Sequence, residues 1–157
     1  MFDFFKKEKF LTSVANGSIM DISHVPDEVF SKKILGEGFM VIPEDQNFVS
    51  PVDGTVSDVT KTLHAYSITS DDGLEVLVHI GLDTVELKGS GFCPKVKAGD
   101  QIKKGEPLAT ADLNAIEKAG YNTATMVVIT NSDILRSFNV LENPSAKSGD
   151  KAMIYKT

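Results

Sequence analysis

Cysteine is nearly absent from this sequence: Cys93 is the only one in 157 residues. No internal disulfide can form and no multi-cysteine zinc site can be assembled, so a reduced, cytoplasmic location is expected. Long apolar runs are missing too. No stretch approaches the roughly 18 apolar residues that a membrane-spanning helix requires. The N-terminus, MFDFFKKEKFLTSV, carries charges at Asp3, Lys6, Lys7, Glu8 and Lys9 with no apolar run before a cleavage site, and does not read as a secretory signal. Positive charge is in deficit, with 16 Lys plus Arg against 22 Asp plus Glu and a net charge of −6. No nucleic-acid partner is expected from that balance. Histidine is scarce: His24, His64 and His79 are all there are, and no HExxH pair is among them.

What is present suits a globular fold, with 41% apolar and 24% charged residues. A chain of this length buries roughly 70% of the surface its unfolded form exposes, enough for one core without metal or disulfide. Composition divides the chain once. Residues 1–14 hold four of the nine phenylalanines, Phe2, Phe4, Phe5 and Phe10, among lysines. They read as a tail that either packs onto the body or lies in a membrane interface. Projected as a helix, its apolar side chains spread widely instead of forming one stripe.

Residues 15–157 read as a single domain of short strands broken by turns. Asn47–Val59 has a Pro-Val-Asp-Gly turn between β-branched runs. His64–Thr69 and Leu74–Ile80 alternate around the turn cluster Ser70–Gly73, with Leu74, Val76, Val78 and Ile80 on one face. Ala124–Thr130 is rich in β-branched residues and reads as a buried strand. Asp112–Lys118 is the best helix, capped by Asp112 and ended by Gly120; a shorter one is expected after Pro26, with the proline in its first turn. A β-sandwich or barrel follows. Val96–Leu108, with Gly99 and Gly105 six residues apart, echoes biotinyl and lipoyl carriers. No Met-flanked lysine accompanies it, so a carrier reading keeps only the fold.

Two of the histidines belong together. A four-residue turn over Ser70–Gly73 puts His64 directly opposite His79; a two-residue Asp72-Gly73 turn makes them diagonal neighbours. Either register sets both on one face, opposite the apolar one, with Cβ atoms about 5 or 7 Å apart. His79 then points outward and is easily reached. Gly81 leaves its ring uncrowded, Asp83 is a polar neighbour, and Thr62, two residues before His64, can orient that imidazole by a hydrogen bond. Paired imidazoles bind metal, or one acts as nucleophile while the other stabilises charge. For a zinc hydrolase the pair supplies two ligands and Asp83 is the only obvious third. A phosphoryl relay needs one free imidazole nitrogen, an acceptor for the other nitrogen's proton and a donor for the phosphoryl oxygens, which fits better.

The segments PVDGTVSDVTKTLHAYSI and LEVLVHIGLDTVELKGSGF resemble enzyme IIA of the glucose family in the bacterial phosphoenolpyruvate-dependent sugar phosphotransferase system. DISHVPDEVFSKKILGEGFMVIP and VKAGDQIKKGEPLATADL resemble the same family in the same order, so the resemblance runs from about Gly17 to Thr130. It implies a mainly all-β fold, an antiparallel β-sandwich or barrel with Greek-key features and a few short helices. It implies a phosphoryl carrier that takes its group from phospho-HPr and passes it to the cysteine of a sugar-specific IIB domain. His79 matches the histidine phosphorylated on Nε2, and His64 the second histidine, which contacts the phosphoryl group. Thr62 matches the threonine bonded to that second ring, Gly81 the glycine whose carbonyl holds the Nδ1 proton, and Asp83 a neighbouring aspartate.

No cofactor is required on this resemblance; zinc at His64 and His79 is implied only where a regulated partner adds a carboxylate. Further implied partners are regulated transporters or kinases, and an anionic membrane surface met by the tail. The chain is expected in the cytoplasm or peripherally at the inner face of the membrane, without a fused IIB or IIC domain. His24 reads as a surface residue and Cys93 as a small apolar filler. The rival readings are a zinc-dependent hydrolase and a non-catalytic biotinyl-like interaction module.

Overall fold

The computed structural model describes residues 8–157. The chain runs β1 (Lys9–Thr12), β2 (Gly17–Asp21), α1 (Glu28–Ser31), β3 (Glu37–Pro43), β4 (Asn47–Val49), β5 (Gly54–Val59), β6 (Ala65–Ser70), β7 (Glu75–Ile80), β8 (Phe92–Pro94), β9 (Gln101–Ile102), β10 (Pro107–Ala111), α2 (Leu113–Lys118), β11 (Thr125–Ile129), β12 (Ser137–Val140), β13 (Asn143–Ala146) and β14 (Lys151–Lys156). Short 3₁₀ turns lie at Ile22–His24, Thr84–Leu87 and Ser132–Ile134. Eight strands form one sheet in the order β13-β2-β3-β11-β7-β6-β5-β9; β1-β14-β12 and β4-β10-β8 form two smaller ones. Neighbouring strands pair antiparallel throughout. Among the described residues no helix is long and apolar enough to cross a membrane.

The apolar runs place the core. β11 is buried along its whole length because it lies between β3 and β7 with both faces covered. Its Val127 and Ile129 join Leu74, Val76, Val78 and Ile80 of the β7 segment in the larger cluster. Met126 and Val128 face the other way, into a smaller cluster with Ile22, Val25, Phe30, Met40, Leu82 and Ala124. Residues 22–30 thus fold over the outer face of the sheet. That segment is fixed by caps: Asp21 accepts from Ser23 N–H, and Asp27 accepts from Val29 N–H at 2.9 Å. α1 therefore begins after Asp27, and Pro26 precedes the cap instead of lying in the first turn. α2 starts as expected, with Asp112 accepting from Ala115 N–H at 3.0 Å.

One boundary and one burial differ from the sequence expectation. The tail is shorter than residues 1–14, because Lys9–Thr12 pair with β14, and Leu11 and Val14 are fully buried. The Phe10 ring carries the ammonium groups of Lys104 at 3.8 Å and Lys151 at 4.7 Å, contacts that favour docking of this strand on the body. The membrane-contact expectation for Phe2, Phe4, Phe5, Lys6 and Lys7 lies outside the described residues. Cys93 is exposed on β8 and fills no core space.

Candidate active site

The β6–β7 hairpin turns through three residues, Asp71-Asp72-Gly73, neither four nor two. Ser70 pairs with Leu74, and Gly73 takes φ +95°. A left-handed third residue is the usual closure of a three-residue hairpin, and only glycine adopts it without penalty. The register shifts accordingly: Ala65, not His64, is the cross-strand partner of His79, and the His64 carbonyl accepts from Ile80 N–H at 2.7 Å. In an unbroken ladder that offset would send the two imidazoles to opposite faces. The ladder is broken. Leu63 has φ +61°, and Thr60 closes a loop onto Ala65, bonding it through both backbone and hydroxyl. Strand alternation does not carry past Ala65, and the His64 and His79 rings meet edge-to-face, centroids 4.7 Å apart and planes at 83°.

Each ring is oriented through Nδ1. His79 Nδ1–H donates to the Gly81 carbonyl at 2.8 Å, which leaves the Nε2 lone pair free. The chain turns back to present that carbonyl because Gly81 adopts φ +81°. Thr62 Oγ1 lies 2.7 Å from His64 Nδ1. With the hydroxyl donating, His64 carries its proton on Nε2, which leaves that N–H as the ring's donor.

Burial is greater than an outward strand position suggests. His79 is half-buried, with Met126 opposite it on β11 and the Phe30 ring edge-on, centroids 5.2 Å apart. His64 is buried, at 7% exposure. Burial and the neighbouring His79 push its pKa down to about 4, so it is neutral near pH 7. His79 is also held below the ordinary histidine value, chiefly by burial; the Gly81 hydrogen bond and the Asp27 and Asp83 carboxylates oppose that shift. Asp83 is exposed, in left-handed conformation at the start of the Thr84–Leu87 turn. Asp27 and Phe30 were not singled out from the sequence. Val29 and Val85 are exposed apolar residues in the same two segments as Asp27 and Asp83.

These depressed pKa values fix the sign of one pH effect. Between pH 4 and pH 6.5 the unfolded chain binds more protons at position 64 than the folded one, so stability falls as pH falls through that window. The His64 share is roughly 3 kcal/mol, complete above about pH 6.5 and lost near pH 4. His64→Gln should therefore flatten the pH dependence of urea unfolding between pH 6.5 and 4. A slope equal to the wild type would show that His64 titrates alike in both states.

The family described as phosphoenolpyruvate-dependent sugar phosphotransferase system, EIIA 1, matches residues 9–135. The chain belongs to this family. It is thus an EIIA component, a phosphoryl carrier of that system. It is 38% identical over 148 residues to a PTS system glucose-specific EIIA component of Halalkalibacterium halodurans, covering 94% of this chain and 86% of that protein. It is 50% identical over 125 residues, 80% of this chain, to a PTS system glucose-specific EIICBA component of Streptococcus pneumoniae. The chain spans about a fifth of the length of such multi-component relatives, 17% in that case. Among solved structures it is similar to the glucose permease IIA from Mycoplasma capricolum, with TM-score 0.86, 33% identity and coverage of 96% of this chain and 97% of that one.

Within this EIIA the pair supplies two metal donors only. Among the described residues no group of three or more His, Cys, Asp and Glu side chains could hold a metal ion. Asp83 does not complete a site, so a resident catalytic zinc, which needs three protein ligands, does not fit the donor set. His24 lies on the surface, 3.5 Å from the Glu142 carboxylate.

Gly81 is one position in this EIIA where backbone freedom is required. A Cβ there would lie 2.4 Å from the Thr84 methyl and 3.0 Å from the Asn122 carbonyl oxygen, in a left-handed conformation. Gly81→Ala should cost about 2–4 kcal/mol in urea unfolding, from left-handed strain plus overpacking. A loss under 1 kcal/mol would mean the loop opens freely.

Proposed function

We propose that His79 accepts the phosphoryl group of phospho-HPr on Nε2 and passes it to the cysteine of a sugar-specific IIB domain during sugar uptake. The observation that carries this reading is the 2.8 Å bond from His79 Nδ1–H to the Gly81 carbonyl, which leaves Nε2 unprotonated beside a second imidazole. In the first step the Nε2 lone pair forms a bond to phosphorus as the donor's N–P bond breaks, returning the electron pair to the donor histidine. His64 Nε2–H donates to a phosphoryl oxygen. The dianion beside His64 raises the pKa of that ring, so its positive charge grows with the phosphoryl group instead of standing in the free protein. In the second step a thiolate attacks phosphorus and Nε2 leaves with the bonding pair, Nδ1 keeping its proton throughout.

Once phosphorylated, His79 has Nε2 bonded to phosphorus and His64 carries a proton on Nε2, so neither of these nitrogens offers water a base, and the half-buried ring against the Phe30 edge favours transfer over hydrolysis. Asp27 and Asp83, with the exposed Val29 and Val85, suit a docking partner that is cationic around an apolar centre. We place the chain in the cytoplasm with its soluble donor. Zinc at the pair would draw a further carboxylate from a docked partner. Incubation with phosphoenolpyruvate, enzyme I and HPr should add one acid-labile phosphoryl group by intact mass. No adduct, or an acid-stable one, would overturn the reading.

A further inference from the structure

The Gly81 carbonyl decides which nitrogen of His79 carries the proton, so whatever holds that carbonyl selects the tautomer. Two peptide planes flank Gly81. In the first, Gly81 N–H donates to the Ala124 carbonyl at 3.0 Å, and the Ile80 carbonyl accepts from the Thr84 hydroxyl at 2.5 Å. In the second, Leu82 N–H donates to the Asn122 carbonyl at 2.9 Å, and the Gly81 carbonyl accepts from His79. Apart from the imidazole, Thr84 is the only side chain in these four bonds; the remaining partners are backbone. It is fully buried, and its methyl lies against the Gly81 Cα, 2.4 Å from where a Cβ would stand. One residue therefore bonds the peptide before Gly81 and packs against its α-carbon. Burial leaves water no access to replace that bond.

We propose that Thr84 is a positioning residue for phosphoryl transfer: it locks the 80–84 turn so that the Gly81 carbonyl faces His79 Nδ1 and the Nε2 lone pair stays free. The role rests on His79 Nε2 being the phosphoryl acceptor. Its test does not, because the tautomer is read in the unphosphorylated protein.

The experiment is ¹⁵N NMR of the His79 imidazole in the wild type, Thr84→Val and Thr84→Ser, with acceptance from phospho-HPr measured on each. Valine keeps the shape and removes the donor; serine keeps the donor and removes the methyl. The wild type should show one tautomer, protonated on Nδ1. Valine should give a mixture of tautomers and about tenfold slower acceptance; serine should restore a single tautomer and most of the rate. A purely structural role would lower the melting temperature of the valine variant and leave its tautomer unchanged. That result overturns the proposal. Should valine prevent folding, the serine variant decides alone: a single Nδ1–H tautomer supports the role, and a mixture in the folded serine variant overturns it. If instead the tautomers follow the proposal and no variant, nor the wild type, takes up phosphoryl groups, the acceptor assignment fails and the positioning role stands.

Discussion

His79→Gln is expected to take up no phosphoryl group from phospho-HPr, on any time scale over which the wild type is fully modified. The glutamine amide nitrogen has no available lone pair, and no other imidazole in the chain combines a carbonyl-fixed Nδ1–H with a free Nε2. His64 cannot substitute: it is buried, and its Nδ1 is engaged by Thr62. The substituted side chain sits half-buried against Met126 and Phe30, so the variant should fold, and its melting curve supplies that control. An adduct of normal size on the folded variant would remove His79 from the relay.

The second large effect separates the two histidines. His64→Gln should still be phosphorylated on His79 but should donate poorly to a IIB domain. Glutamine offers a hydrogen-bond donor, yet it cannot gain the proton that His64 acquires beside a phosphoryl dianion. Losing one preorganised donor of this kind costs about 3 kcal/mol, roughly a hundredfold in rate. Thr62→Ala should show a milder form, about five- to tenfold, because it only frees the His64 ring from its 2.7 Å hydroxyl contact. Quench-flow transfer from the phosphorylated protein measures donation, with acceptance followed separately. Equal loss of acceptance in both histidine variants would contradict this division of labour.

Much of the site was legible because it lies within one hairpin. His64, Thr62, His79 and Gly81 fall in two short segments around a recognisable turn, and the structure brings them together. The apolar alternation of Leu74–Ile80 and the β-branched run of Ala124–Thr130 likewise gave their strands, since burial on one face or two leaves a direct mark on composition. The register was not legible. Turn chemistry leaves two or four loop residues open, and the hairpin takes three, with Gly73 left-handed; the rings meet only because Leu63 breaks the ladder, and no pattern announces a left-handed leucine.

Residues brought in from a distance were invisible for a related reason. Asp27 and Phe30 reach His79 because residues 22–30 fold over the sheet, a tertiary choice that local spacing does not encode. The Pro51-Val52-Asp53-Gly54 turn lies between two β-branched runs, as the sequence indicates. Those runs enter different sheets, β4 pairing with β10 and β5 with β6 and β9, because a turn fixes a reversal but not a partner. The tail boundary moved for the same cause: Lys9–Thr12 looks like part of a Phe- and Lys-rich terminus until β14 is there to pair with it.

The central claim is that one nitrogen, Nε2 of His79, carries the phosphoryl group. A ³¹P–¹⁵N correlation spectrum of the protein phosphorylated through enzyme I and HPr reads that bond directly. The expected result is a single phosphorus coupled to Nε2 of His79, with its Nδ1 still protonated by virtue of the Gly81 carbonyl. Phosphorus on Nδ1, on His64 or on a hydroxyl oxygen would contradict it.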